Sequence, residues 1–182
     1  GMRNIEQFED NIGFLDIEAV NRYWRRHYDD LRQKTQAFST CFYDTTLPPI
    51  VVEAIAANLT ILKSPTIQRQ TDGKLWCWEG CCDTHGCCHG SCTHVWNYAQ
   101  ALPHLFPKME RTLRHTEFFV DQDARGHQAF RASLPIRPPD HDFHAAADGQ
   151  LGGIMKVYRE WRIGGDEMWL RRYWPKVKQS LD

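Results

Sequence analysis

The chain has no basic block. Its 22 Lys and Arg residues stand against 23 Asp and Glu, for a formal net charge of −1, so it carries no electrostatic footprint for nucleic acid or for an anionic membrane surface. It has no apolar run near the ~20 residues needed to span a bilayer, which excludes an integral membrane segment of that kind from the expectations. The opening residues, GMRNIEQFEDN, lack the basic-then-apolar pattern of a secretory leader. The expected compartment is therefore the cytoplasm, where thiols stay reduced. There is also no low-complexity linker, no internal sequence repeat and no pair of Cys-x-x-Cys knuckles. What is present is an ample apolar supply: 42% of the 182 residues are hydrophobic and 12% aromatic, enough for the core of one domain.

Periodicity organises that supply. Ile17, Val20, Trp24, His27, Leu31, Thr35 and Phe38 recur at three- and four-residue steps behind Asp16, a good N-cap, and predict a long first helix to about residue 40. Thr45 or Thr46 can cap a second helix, with Pro48 and Pro49 in its first turn and Val52, Ile55, Leu59 and Leu62 as its stripe. Ile67–Gln70 and Lys74–Trp78 read as short strands about an Asp72-Gly73 turn. A third helix is expected from Ser91 to Leu102 and a fourth from Lys108 to Phe119, with Met109 and Leu113 inward. A second β-hairpin turns near Gly126. A fifth helix runs from about Asp148 to Ile163, with Leu151, Ile154, Tyr158 and Trp161 as its inner stripe. After Gly164-Gly165, Asp166 caps a sixth helix bearing Leu170, Trp174, Val177 and Leu181. The fold class is thus mainly α: helical hairpins, with two small β-hairpins between them. Helical hairpins packed side by side predict part of an (α/α)6 barrel over residues 16–182, preceded by an N-terminal extension, residues 1–15.

Two polar clusters fall in the loops of this plan. The first is WCWEGCCDTHGCCHGSCTHVWNYAQ, Trp76 to Gln100. It holds six cysteines with His85, His89 and His94 among them, a supply that could satisfy the four ligands of a zinc tetrahedron. The spacing is poor for it, since two pairs of cysteines, Cys81-Cys82 and Cys87-Cys88, are adjacent. Packing of small apolar thiols in a tight loop is favoured, and a zinc-stabilised helical binding module using residues 77–94 stays as the alternative. Glu79 lies between the apolar LWCW strand and Gly80, where a carboxylate can be held rigid and partly desolvated, as catalysis requires. The plainer reading is an ion pair with a residue such as Arg69. The second cluster, DHDFHAAADG, supplies Asp140, His141, Asp142, His144 and Asp148, the last a candidate cap for the fifth helix. Carboxylates and imidazoles grip sugar hydroxyls, and Trp76, Trp78, Trp96 and Tyr98 offer faces on which a sugar can stack. Those aromatics could equally be core.

The stretches WEGCCDTHGCCHGSCTHVWNYAQALPHLFPKMERTLR, NLTILKSPTIQRQTDGKLWCWEG and FHAAADGQLGGIMKVYREW resemble the catalytic domain of glycoside hydrolase family 116, which includes non-lysosomal glucosylceramidase. The likeness runs in order from about residue 16 to the end. It implies an (α/α)6 barrel, a retaining β-glucosidase mechanism, a β-glucoside as the carbohydrate substrate, and no metal or other cofactor. It implies Glu79 as nucleophile and His141-Asp142 as sugar contacts. His94 stands where some members have a sugar-binding aspartate, and Trp76, Trp78 and Trp96 would shape the pocket. The family's acid/base aspartate matches no residue up to Asp182. The expectation is a fragment of roughly half a barrel that hydrolyses little by itself and self-associates through uncovered helix faces. A non-catalytic sugar-binding remnant is the remaining alternative.

Overall fold

A computed structural model describes residues 16–63, 66–77, 91–139 and 145–181. The chain is mainly helical with two small antiparallel β-hairpins. Helix α1 spans Ile17–Tyr43 and is capped by Asp16, whose carboxylate accepts from the Ala19 amide at 2.6 Å. None of its residues is buried. Its aromatics pair along its own surface, Trp24 with Tyr28 and Phe38 with Phe42, and Phe38 also stacks on Phe106 at 5.9 Å. Helix α2, Pro49–Leu59, starts at Pro48 rather than on a threonine side chain. Thr45 instead closes the preceding turn by accepting from the Leu47 amide. Val52 is buried and Ile55, Leu59 and Leu62 half-buried, as the stripe predicts. The expected α1–α2 hairpin is loose, and the two helices share a cleft lined by Phe38, Cys41 and Phe42 on one side and Val52 and Ile55 on the other.

After a 3-10 turn, Thr60–Lys63, strands β1 (Ile67–Arg69) and β2 (Leu75–Cys77) pair antiparallel, Gln68 opposite Trp76. Gly73 sits in the left-handed region at φ 85°, which is why the Asp72-Gly73 step can make this turn. All three residues of β2 are buried. β3 (Ser91–Cys92) pairs with β4 (Arg131–Ala132), while the turn at Gly126 closes a bridge between Gln122 and Gln128.

The expected helix from Ser91 to Leu102 is two short ones, α3 (Thr93–Trp96) and α4 (Ala101–Leu105). Pro103 explains the break. In a continuous helix it would deny a hydrogen bond to the Ala99 carbonyl and crowd it. In a helix starting at Ala101 it lies in the first turn, where no amide is needed. Helix α5 (Pro107–His115) runs into a wide turn, Thr116–Val120, and α6 (Ala147–Gly164) joins α7 (Glu167–Gln179) through Gly165 at φ 63°. Asp166 caps α7 by accepting from the Trp169 amide at 2.9 Å.

Two apolar clusters form the core. One gathers Leu75, Cys77, Trp96, Leu102 and Leu113, the other Phe118, Val157, Tyr173 and Val177. Each such side chain contributes on the order of 1.5–3 kcal/mol by leaving water. Only part of the predicted stripe of α6 turns inward: Ile154 is half-buried against the second cluster. Leu151 and Tyr158 are 52% and 59% exposed, whereas Gly149, Gly153, Lys156, Val157 and Glu160 are buried. On α7, likewise, Trp174 and Leu181 face solvent and Tyr173 and Val177 turn inward. The reason lies on α5, whose inner face carries Glu110 and Arg114, followed in the wide turn by Glu117, all buried. A buried charge must be paired, so α6 turns its own Lys156 and Glu160 toward them.

Candidate functional site

The sequence-derived site divides into anchors that the structure describes and side chains that it does not. Trp78, Glu79, His141 and Asp142 lie outside the described residues, as do the cysteines and histidines between Glu79 and Gly90. The strand leading to Glu79 is fixed on both sides. The Leu75 amide donates to Thr112 Oγ1 at 2.9 Å, and the Cys77 amide donates to Ser91 Oγ at 2.7 Å. The second bond holds β2 against β3, and β3 leads directly into α3 and His94.

His94 is 47% exposed at its side chain, and its Nδ1 is paired with Asp148 in the first turn of α6. Asp148 is not the helix cap, a position taken by Ala146. It accepts from the Gly149 amide at 2.9 Å, and its carboxyl is held below the usual carboxylate range, first by the hydrogen bond from His94. Asn97 Nδ2 donates to the Asp148 carbonyl at 3.0 Å, and Tyr98 stands edge-on to the His94 ring with centroids 5.7 Å apart. Two glycines allow this closeness. A Cβ on Gly149 would lie 2.2 Å from Thr93 Oγ1, and one on Gly152 would lie 2.1 Å from Asn97 Nδ2.

Trp76 and Trp96 are core residues. The Trp76 indole donates to the Ala132 carbonyl at 3.1 Å, and among the described residues Trp96 Nε1 has no partner. With Thr93, Thr116, Glu117 and Asp121 they wall a cavity of about 20 Å³. Both are buried and support the strands from behind. Trp96 also borders an open, mostly apolar cleft of about 410 Å³ between α2, β1 and the α3–α4 segment.

Behind these walls lies an ion cluster that sequence reading missed. Arg114, 0% exposed, meets Glu117, Glu110 (3.4 Å) and Glu160 (3.2 Å). Lys156 meets Glu117 at 3.1 Å, and Arg159 meets Glu110 at 2.9 Å and Glu160 at 3.4 Å. Three cations thus face three carboxylates. Burial pushes Glu160 up to about 7. Asp121 lies beside Glu117, and burial together with the Glu117 charge pushes it up to about 8. Spacing could have flagged Glu110-Arg114 and Lys156-Glu160, four residues apart on predicted helices, but on one helix that pattern also describes a solvated face.

The packing view of the cysteines holds for the two that can be seen in the loop region. Cys77 and Cys92 are buried, and burial pushes the Cys77 thiol up, away from the thiolate that a metal needs. Among the described residues no group of three or more His, Cys, Asp or Glu side chains could hold a metal ion, and no helix is long and apolar enough to cross a membrane. Comparison of the sequence with models of known protein families and with curated proteins finds no match.

Proposed function

We propose that the chain is the nucleophile-bearing part of a retaining β-glycosidase, with a β-glucoside as substrate, related to glycoside hydrolase family 116 and built on part of an (α/α)6 barrel. The observation that carries this reading is a convergence. The elements that lead to Glu79 (β2), to His94 (β3 and α3) and away from His141-Asp142 (the start of α6) are fastened to one another by the Cys77–Ser91 and His94–Asp148 bonds. Residues far apart in sequence, which the resemblance assigns to one sugar site, thus leave from adjoining anchors.

In this reading Glu79 attacks the anomeric carbon, and His94, His141 and Asp142 hold the hydroxyls. Retaining hydrolysis needs a second carboxyl about 5–5.5 Å from the nucleophile to protonate the leaving oxygen. None of the 182 residues matches the family's acid. A leaving group that departs as a stable anion needs no such proton. The chain should therefore release about one equivalent of dinitrophenolate per active site from 2,4-dinitrophenyl β-glucoside in a burst, turn over slowly afterwards, and leave alkyl glucosides intact. Absence of the burst, or its persistence in Glu79→Gln, would count against the assignment. The free thiols of Cys41 and Cys77 suit a reducing compartment, and the cytoplasm is the proposed location.

Self-association belongs to the same proposal. Ile17, Trp24 and Tyr28 on α1, and Leu151, Met155 and Tyr158 on α6, are exposed. Apolar stripes of this kind mark interfaces. Sedimentation equilibrium should give a dimer or larger species, and Trp24→Glu combined with Met155→Glu should shift it to monomer. A monodisperse wild-type monomer would refute the expectation.

A further inference from the structure

The neighbours of His94 specify its chemistry more closely than its position in the sequence does. An ionised carboxylate only accepts hydrogen bonds, and Asp148 is kept ionised by its bond to His94 and by the Gly149 amide. It also lies in the first turn of an 18-residue helix, where the helix dipole favours an anion. The ring nitrogen facing it, Nδ1, must therefore carry a proton. In the neutral ring the lone pair then resides on Nε2, and a carboxylate on Nδ1 makes that nitrogen the better acceptor. Among the described residues Nε2 has no partner, and the side chain is about half exposed. The ring is not free to turn away. Asn97 ties α3 to the Asp148 carbonyl, Gly149 and Gly152 let α3 and α6 approach to the point where a methyl group would clash, and the Tyr98 ring borders the imidazole.

We infer that Asp148 is a positioning residue for His94, fixing it as the Nδ1–H tautomer so that Nε2 accepts a hydrogen bond from a hydroxyl of a polyhydroxylated ligand. With the glycosidase reading, on which the choice of ligand rests, that hydroxyl belongs to the sugar ring. The pair then makes His94 an acceptor for sugar hydroxyl protons, whereas without the carboxylate the imidazole could present either an acceptor or a donor.

Long-range proton–nitrogen NMR spectra of the full chain, at alkaline pH where the imidazole is neutral, test the inference with methyl β-glucoside as probe. The wild type should show the Nδ1–H tautomer, and the Nε2 resonance should move when the glucoside is added. Asp148→Asn, whose amide can donate to Nδ1, should switch the ring toward the Nε2–H tautomer and weaken glucoside binding by about tenfold, the loss of one hydrogen bond. His94→Phe should weaken binding equally while keeping the ring's bulk, and Asp148→Glu should restore part of it. An Nε2–H tautomer in the wild type, or unchanged affinity in Asp148→Asn despite a lowered melting temperature, would reduce the pair to a strap between helices and overturn the inference. If the glucoside moves no resonance at all, the glycosidase reading and the sugar-hydroxyl role fall together. In that event a tautomer that still switches in Asp148→Asn supports the positioning role of Asp148.

Discussion

Arg114→Met should lower stability by about 3–5 kcal/mol, the cost of breaking a buried ion pair by removing one partner. The net stability of a domain is only ~5–15 kcal/mol, so this loss removes a large part of the margin. The guanidinium is fully enclosed and answers Glu110, Glu117 and Glu160 at once. Methionine fills much of its volume, so the loss reports charge rather than space. It leaves three carboxylates facing two cations, Lys156 and Arg159, with no water to solvate the excess. The consequence reaches the site, because α5 also holds β2 through Thr112. Urea unfolding followed by tryptophan fluorescence measures the change. Adding Glu160→Met to Arg114→Met restores the balance of two cations and two carboxylates, and should recover part of the loss, since well-packed apolar replacements of buried ion pairs are often neutral. A single variant within about 0.5 kcal/mol of wild type, the range of ordinary surface substitutions, would show that the cluster is hydrated rather than sealed.

Asp121→Asn should remove much of the fall in stability with rising pH near neutrality. The folded carboxyl holds its proton to about pH 8, whereas its ordinary value is 3.8. Between those two values the unfolded chain has released the proton and the folded chain has not. The unfolded state then binds fewer protons, and stability falls as pH rises, by roughly 1.4 kcal/mol per pH unit. Glu160, pushed up to about 7 from 4.5, adds a slope of the same sign over the lower part of the window. Asparagine is close in shape to a protonated carboxyl and does not titrate. The variant should therefore match the wild type near pH 4, exceed it by several kcal/mol at pH 8, and lose the slope due to Asp121. Unfolding free energies from about pH 5 to about pH 8 test this. A wild type that grows more stable across this range would mean that Asp121 ionises freely.

What could be read in the sequence was local. Asp16 and Asp166 cap helices as their side-chain chemistry dictates, Gly165 ends α6 in a conformation that glycine adopts easily, and Asp72-Gly73 turns the first hairpin. Each signal acts within a few residues. The inner face of α6 was not readable in this way, because it is chosen by Glu110, Arg114 and Glu117, about 40 residues or more upstream. An apolar stripe on one helix carries no information about a charged face waiting on another. The helix expected from Ser91 to Leu102 is interrupted over residues 97–100, and the next one takes Pro103 into its first turn. At the site, His94 enters as a sugar contact only through the resemblance, and Asp148, which reads as a helix cap in the sequence, instead pairs with His94 across the α3–α6 contact. The tryptophans show the reverse case: residue type allowed both a stacking surface and a core, and burial decides for the core in Trp76 and Trp96.

The central claim is that the carboxylate of Glu79 forms a bond to a sugar. Incubation with 2,4-dinitrophenyl 2-deoxy-2-fluoro-β-glucoside, followed by intact mass and peptide mapping, tests it most directly. The electron-withdrawing fluorine slows release of the glycosyl intermediate, and the activated leaving group removes the need for an acid. The account predicts one fluoroglucosyl group per chain, attached at Glu79 and absent in Glu79→Gln. An unlabelled wild-type chain, or a label on any other residue that survives in Glu79→Gln, would contradict it.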